Sequence, residues 1–265
     1  MTDVPAPRLP AALGAVQAVQ AVAREFARLA LPVACPGCGA WDLTLCEACR
    51  ATLAGAPVRC EDDVPRLDHL DGVPPLPVWR LAAYAGPVRG IVLAWKDHGR
   101  ADLTPAVTGA MRRGAAQVAP ELAVAAGGRA LAVVPVPSTA AARRRRGADL
   151  VGLLARAATD GLRLSGVAAG EAPVLVRRPG RRDQAGLGAR ARGRNSERAV
   201  RVRRGPVPGG GLCVLVDDVV TTGSTLTTCE EALMSGGWLV LGAIAVAATP
   251  PPSHGRVLLA PGSAE

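Results

Sequence analysis

The chain has 265 residues, 49% of them hydrophobic, and a net charge of +9. That is enough apolar material for one main core with a small appendage, and it excludes an intrinsically disordered chain. The charge is local: residues 177–204 hold eleven arginines against Asp183 and Glu197, which leaves the rest of the chain neutral overall and points to an anionic partner, a polyphosphate or a nucleic acid. The longest apolar run, Trp238 to Ala248, is too short to cross a bilayer, and the N-terminus has no basic n-region, so neither a membrane partner nor a secretory signal is expected. Seven cysteines without such a signal predict thiols or a metal site in the cytoplasm, not disulfides.

Residues 11–30 carry apolar side chains at helical spacing and predict an amphipathic helix; its polar face is not notably basic, so it is expected to pack on the protein body. Four units follow from the pattern: this N-terminal helix (1–30), a cysteine module with its linker (31–72), a main domain (73–250) and a loose tail (251–265). Residues 35–50 read CPGCGAWDLTLCEACR, with Cys35 and Cys38 in one C-x2-C pair and Cys46 and Cys49 in another, seven residues apart. Each pair has the spacing of a metal knuckle, and Gly37 and Gly39 permit its tight turn. Four thiolates suit structural zinc with no open position, and the metal would fold a segment too short for its own core. Free or redox-active thiols are the alternative, and an iron–sulfur cluster is less suited to so short a loop. Cys60 has no C-x2-C partner, because Asp63 stands in its place.

From Leu76 the pattern becomes that of alternating strands and helices. A strand is predicted over 78–84, a helix over 88–96, a second helix over 102–118, and a loop or frayed end from Pro120 to Arg129. LAVVPVPS (131–138) is a strand ending in a Pro-x-Pro turn, followed by one long helix over 139–163 whose first turns carry Arg143 to Arg146. Val136, Pro137 and Ser138 with Arg143 are candidates to face an anion, although any one of these arginines could equally be a solvated charge. Residues 173–204 alternate apolar patches with arginines and glycines. They fit a lid over an anionic ligand, with a solvated loop as the plainer alternative. Nucleic-acid contact is disfavoured by the lack of an aromatic residue for stacking.

The most informative stretch is LCVLVDDVVTTGST, Leu212 to Thr225. Its unbroken apolar run predicts a strand buried on both faces of a parallel sheet, and ligands bind beyond the carboxyl ends of such strands. Asp217 and Asp218 stand at that end. Thr221, Thr222, Gly223, Ser224 and Thr225 stand where the next helix, predicted over 223–235, begins and where its free N–H groups favour a phosphate. Helix capping is the plain alternative. A Walker B strand would require a GxxxxGK[ST] loop, and the sole lysine, Lys96 in LAWKDHGR, belongs to no such loop.

The string VDDVVTTGST resembles the ribose-phosphate motif of type I phosphoribosyltransferases. With the four cysteines, VVPVPS plus RRRRG at 143–147, and the basic run from Arg177 to Asn195, the chain resembles the ComF family over roughly residues 31–247. The resemblance implies an α/β fold, a type I phosphoribosyltransferase-like parallel sheet flanked by helices, with a small N-terminal zinc module held by four cysteines. It implies 5-phosphoribosyl 1-diphosphate as ligand with magnesium, Asp217 and Asp218 on the ribose and magnesium, Thr221 to Thr225 on the 5′-phosphate, the 136–138 turn on the pyrophosphate, and a flexible loop bearing Arg177, Arg178, Arg182, Gln184, Arg190, Arg194 and Asn195. Activity as a transferase to an unidentified acceptor is one reading. A non-catalytic phosphoribosyl-binding protein, or a DNA-uptake accessory meeting single-stranded DNA or a competence helicase, is the other. One departure is local: Ala148, Asp149 and Leu150 replace the aromatic and Asn-Gln that the family usually has after RRRRG.

Overall fold

The computed structural model describes residues 33–65, 67, 74–177, 200–203 and 211–251. The helix expected over 11–30, part of the linker, the segment 178–199 and the tail from 252 lie outside the described residues.

The elements are α1 (Glu47–Ala51), β1 (Val58–Arg59), β2 (Val78–Ala83), α2 (Gly86–Asp97), α3 (Thr104–Ala126), β3 (Leu131–Pro135), α4 (Ala140–Arg146), α5 (Leu150–Leu164), β4 (Ala169–Glu171), β5 (Leu175–Arg177), β6 (Val200–Val202), β7 (Leu212–Val220), α6 (Ser224–Ser235) and β8 (Leu239–Ala248). Six strands form one sheet in the order β1-β2-β8-β7-β3-β4. Only the β1–β2 pairing is antiparallel; the other four are parallel. β5 and β6 make a separate antiparallel ribbon. The protein is thus α/β, with a mostly parallel central sheet flanked by helices.

β7 lies between β3 and β8, so both its edges and both its faces are covered, which explains its uninterrupted apolar sequence. Its side chains alternate between two cores. Leu212, Val214 and Val216 join the core under α2, α3 and α5, whereas Cys213 and Leu215 join the one under α6, the β5–β6 ribbon and Val64 and Leu67 of the linker. Leu215 is fully buried, and its truncation to alanine would cost about 2–5 kcal/mol.

Two helices differ from expectation. α3 continues through Pro120 to Ala126 instead of ending near 118. Proline at this position removes the N–H that would bond the Ala116 carbonyl; the Ser165 hydroxyl donates to that carbonyl instead, at 3.2 Å. The helix expected over 139–163 is two helices. Gly147 takes the left-handed conformation (φ 68°) and ends α4. Asp149 then caps α5 by accepting from the Gly152 N–H. The departure Ala148-Asp149-Leu150 therefore falls on a helix start that this chain makes with its own cap. α3 and α5 cross closely at Gly161, where a Cβ would lie 2.1 Å from the Arg112 carbonyl oxygen.

Among the described residues, no helix is long and apolar enough to cross a membrane.

Candidate functional site

The alternation of β7 continues into its two acids. Asp217 follows Cys213 and Leu215 toward the α6 side, and Asp218 follows Val214 and Val216 toward the α2 side, so the carboxyl end of the strand presents one carboxyl group to each face. Both are buried. Asp217 Oδ1 accepts the Asp218 N–H at 2.8 Å. Burial, and then the neighbouring Asp218 charge, push the Asp217 carboxyl up to about 8. Asp218 Oδ1 is met by Lys96 Nζ at 2.8 Å, reaching across from α2.

After β7 the chain turns through Thr221 and Thr222, both exposed, into Gly223. Gly223 has φ 82°, and a Cβ there would also lie 2.5 Å from Val64 Cγ1, so the position requires glycine on two grounds. α6 starts at Ser224 behind Gly223, an N-cap with no side chain to bond its first N–H groups, which leaves its positive end without a capping side chain from that residue. Residues 219–226 with Asp217 line a hollow of about 210 Å3. Asp217, Val219 and Thr225 also line a larger cleft of about 600 Å3, walled further by Lys96, the turn from Val136 to Thr139, Arg146, Arg177 and Asp218.

The turn after β3 is held at the cleft's far wall. The Val136 N–H donates to the Val216 carbonyl at 2.9 Å, and Arg177 Nε donates to the Pro137 carbonyl at 3.0 Å. Arg143 is exposed, and its Nη1 donates to the carbonyl of Ser138, a residue of the cleft wall, at 2.8 Å. The arginine that lines the cleft from this run is Arg146. Its side chain is only 11% exposed, its Nη2 lies 3.5 Å from Asp97, and its Nε is buried with no partner among the described residues. Of the seven basic-loop candidates, Arg177 reaches the cleft; Arg178, Arg182, Gln184, Arg190, Arg194 and Asn195 lie outside the described residues.

Lys96 and Arg146 are not singled out by the sequence. Lys96 carries one signal, since it is the sole lysine among thirty arginines. Arg146 carries none that separates it from its three neighbours.

The four cysteines Cys35, Cys38, Cys46 and Cys49 come together, with their sulfurs all within 4.8 Å of one another. A tetrahedron of ligands about 2.3 Å from zinc has edges of about 3.8 Å, and Cys46 Sγ lies 3.7 Å from Cys35 Sγ and 3.6 Å from Cys38 Sγ. Burial would raise the Cys35 thiol, but the backbone N–H groups of Cys46, Gly37 and Cys38 outweigh it and bring it down to about 6, whereas burial and the neighbouring sulfurs push Cys49 up, so Cys35 is the thiol that yields its proton before Cys49. The donor set and spacing fit structural zinc. Cys60 stands apart, buried in the α6-side core, where desolvation raises its thiol to about 11.

No family model matches the chain, and no curated protein does. Among solved structures it is similar to orotate phosphoribosyltransferase from Aeropyrum pernix, at 23% identity over 61% of this chain and 64% of that one, with a TM-score of 0.27. The chain thus spans less than two thirds of that structure's length.

Proposed function

We propose that the cleft binds 5-phosphoribosyl 1-diphosphate together with magnesium and that the protein transfers the phosphoribosyl group to an acceptor. The observation that carries this reading is the pair of buried carboxyl groups at the carboxyl end of β7, in a cleft continuous with the open start of α6. The hollow at Thr221 to Thr225 takes the 5′-phosphate on backbone N–H groups and hydroxyls. Asp217 and Asp218 accept hydrogen bonds from the ribose hydroxyls. Their oxygen-only donor set suits a hard, hydrated cation such as magnesium, which when bound would neutralise charge on the diphosphate.

The Val136 to Ser138 turn, Arg146 and Arg177 face the diphosphate. Departure of pyrophosphate leaves positive charge at the anomeric carbon, as in glycoside cleavage. Cations fixed around the leaving group before the bond breaks stabilise that transition state. Arg146, held by Asp97, and Arg177, tied to the Pro137 carbonyl, are fixed in this way. Zinc on the four cysteines serves structure, since its coordination would be complete.

The test is pyrophosphate release from 5-phosphoribosyl 1-diphosphate and magnesium across a panel of nucleobases and amines. Acceptor-dependent release that disappears in Asp217→Asn is the expected result. Ligand binding without release from any acceptor would reduce the protein to a binding module.

A further inference from the structure

Lys96 is placed with care. α2, which carries it, is gripped by the cysteine module at two points. Gly90 lies so close to the module that a Cβ would fall 2.1 Å from the Pro36 carbonyl oxygen. Just past the helix end, Arg100 donates to the carbonyls of Ala34 at 3.2 Å and Thr44 at 3.1 Å. Lys96 falls between these anchors and enters the cleft, while the adjacent Asp97 is occupied by Arg145 and Arg146. The Lys96 ammonium lies 2.8 Å from an Asp218 oxygen, with side-chain exposures of 29% and 5%. A divalent cation at the acid pair would need that same carboxylate and would be repelled by the ammonium beside it, in a site buried enough for both effects to be strong.

We propose that Lys96 is a displaceable counter-ion. In the ligand-free protein it occupies Asp218 and keeps a divalent cation out; when the cation arrives with a diphosphate, the ammonium leaves Asp218 and pairs with the diphosphate oxygens. Metal and anion therefore bind together, each poorly alone. This rests on reading the cleft as a phosphoribosyl-diphosphate site and adds the device that makes its two ligands interdependent.

The test is a titration of the zinc-loaded protein with manganese alone, followed by electron paramagnetic resonance. Compared are the unaltered chain, Lys96→Met, Lys96→Gln (which keeps a hydrogen-bond donor to Asp218 should the methionine variant not fold), Lys96→Arg, and Lys96→Gln combined with Asp218→Asn. The uncharged variants should bind manganese about tenfold tighter or more, Lys96→Arg should behave as the unaltered chain, and the double variant should lose the gain. Inorganic diphosphate should tighten manganese binding in the unaltered chain and do so less in Lys96→Gln. Equal manganese affinity in the unaltered chain and both uncharged variants overturns the proposal, as does a gain that survives Asp218→Asn or an equal diphosphate effect in both proteins. None of these readouts uses 5-phosphoribosyl 1-diphosphate, so a failure of the functional reading is separable from a failure of this one.

Discussion

Gly223 and Val64 touch so closely that a Cβ on the glycine would lie 2.5 Å from the valine Cγ1. The linker segment after Cys60 thus packs directly on the turn that starts α6. Gly223→Ala would meet both this contact and a left-handed φ of 82°. We expect a loss of about 1–3 kcal/mol in urea denaturation, with ligand affinity falling as the turn is displaced. Unchanged stability would mean that the contact gives way freely.

A second glycine tests the other side of the sheet. Gly161→Ala would drive a Cβ to 2.1 Å from the Arg112 carbonyl oxygen at the α3–α5 crossing. The helices must part, at a cost of about 1–3 kcal/mol, while the cleft is untouched. Denaturation should register the change, and ligand affinity in the folded fraction should not.

The raised Asp217 carboxyl has a consequence for stability against pH. Its ordinary value is 3.8 and its native value about 8. Between these the native state holds a proton that the unfolded chain has released. The contribution is therefore complete below about pH 4 and is lost as pH rises to about 8. Glu61 and Asp102 have lowered values and act in the opposite direction, their stabilisation being lost only in acid. The Cys35 thiol, brought down to about 6, adds stability between about pH 6 and 9, so it is the comparison with Asp217→Asn, which shares these groups, that isolates Asp217. From about pH 5.5 to about pH 8.5 the unaltered chain should lose stability relative to Asp217→Asn. Parallel profiles for the two proteins would contradict this.

Removal of the metal should act through the module's grip on α2. The unaltered protein should carry one zinc per chain, and a chelator or Cys49→Ser should lower the melting midpoint by on the order of 10 °C. Arg100→Ala, which loses its bonds to the Ala34 and Thr44 carbonyls, should give a smaller drop with zinc retained. A metal content that does not change in Cys49→Ser would remove that cysteine from the ligand set.

The parts of this arrangement that can be read from the chain are those written in consecutive residues. The β7 run, its two acids and the hydroxyl turn are contiguous, and burial on both faces leaves the plain apolar signature that identifies the strand. The cysteine pairs are legible for the same reason, since the chemistry of each pair is set by two intervening residues. The break between α4 and α5 is masked because the helical period runs on through it, although Gly147 and Asp149 spell a stop and a cap. The continuation of α3 past Pro120 depends on Ser165, at the end of another helix. Lys96 and Asp218 are 122 residues apart, and only the fold brings them together. Arg146 is hidden among identical neighbours: Arg143, three residues earlier and on the same helix face, bonds back to the Ser138 carbonyl, whereas Arg146 lines the cleft.

The central claim, that the acid pair of β7 and the turn at α6 form a phosphoribosyl-diphosphate site, is tested most directly by calorimetric titration of the zinc-loaded protein with 5-phosphoribosyl 1-diphosphate in the presence of magnesium. The account predicts saturable binding that weakens at least about tenfold when magnesium is omitted and in Asp217→Asn/Asp218→Asn. No binding to the unaltered protein, or equal binding to the double variant, would contradict it.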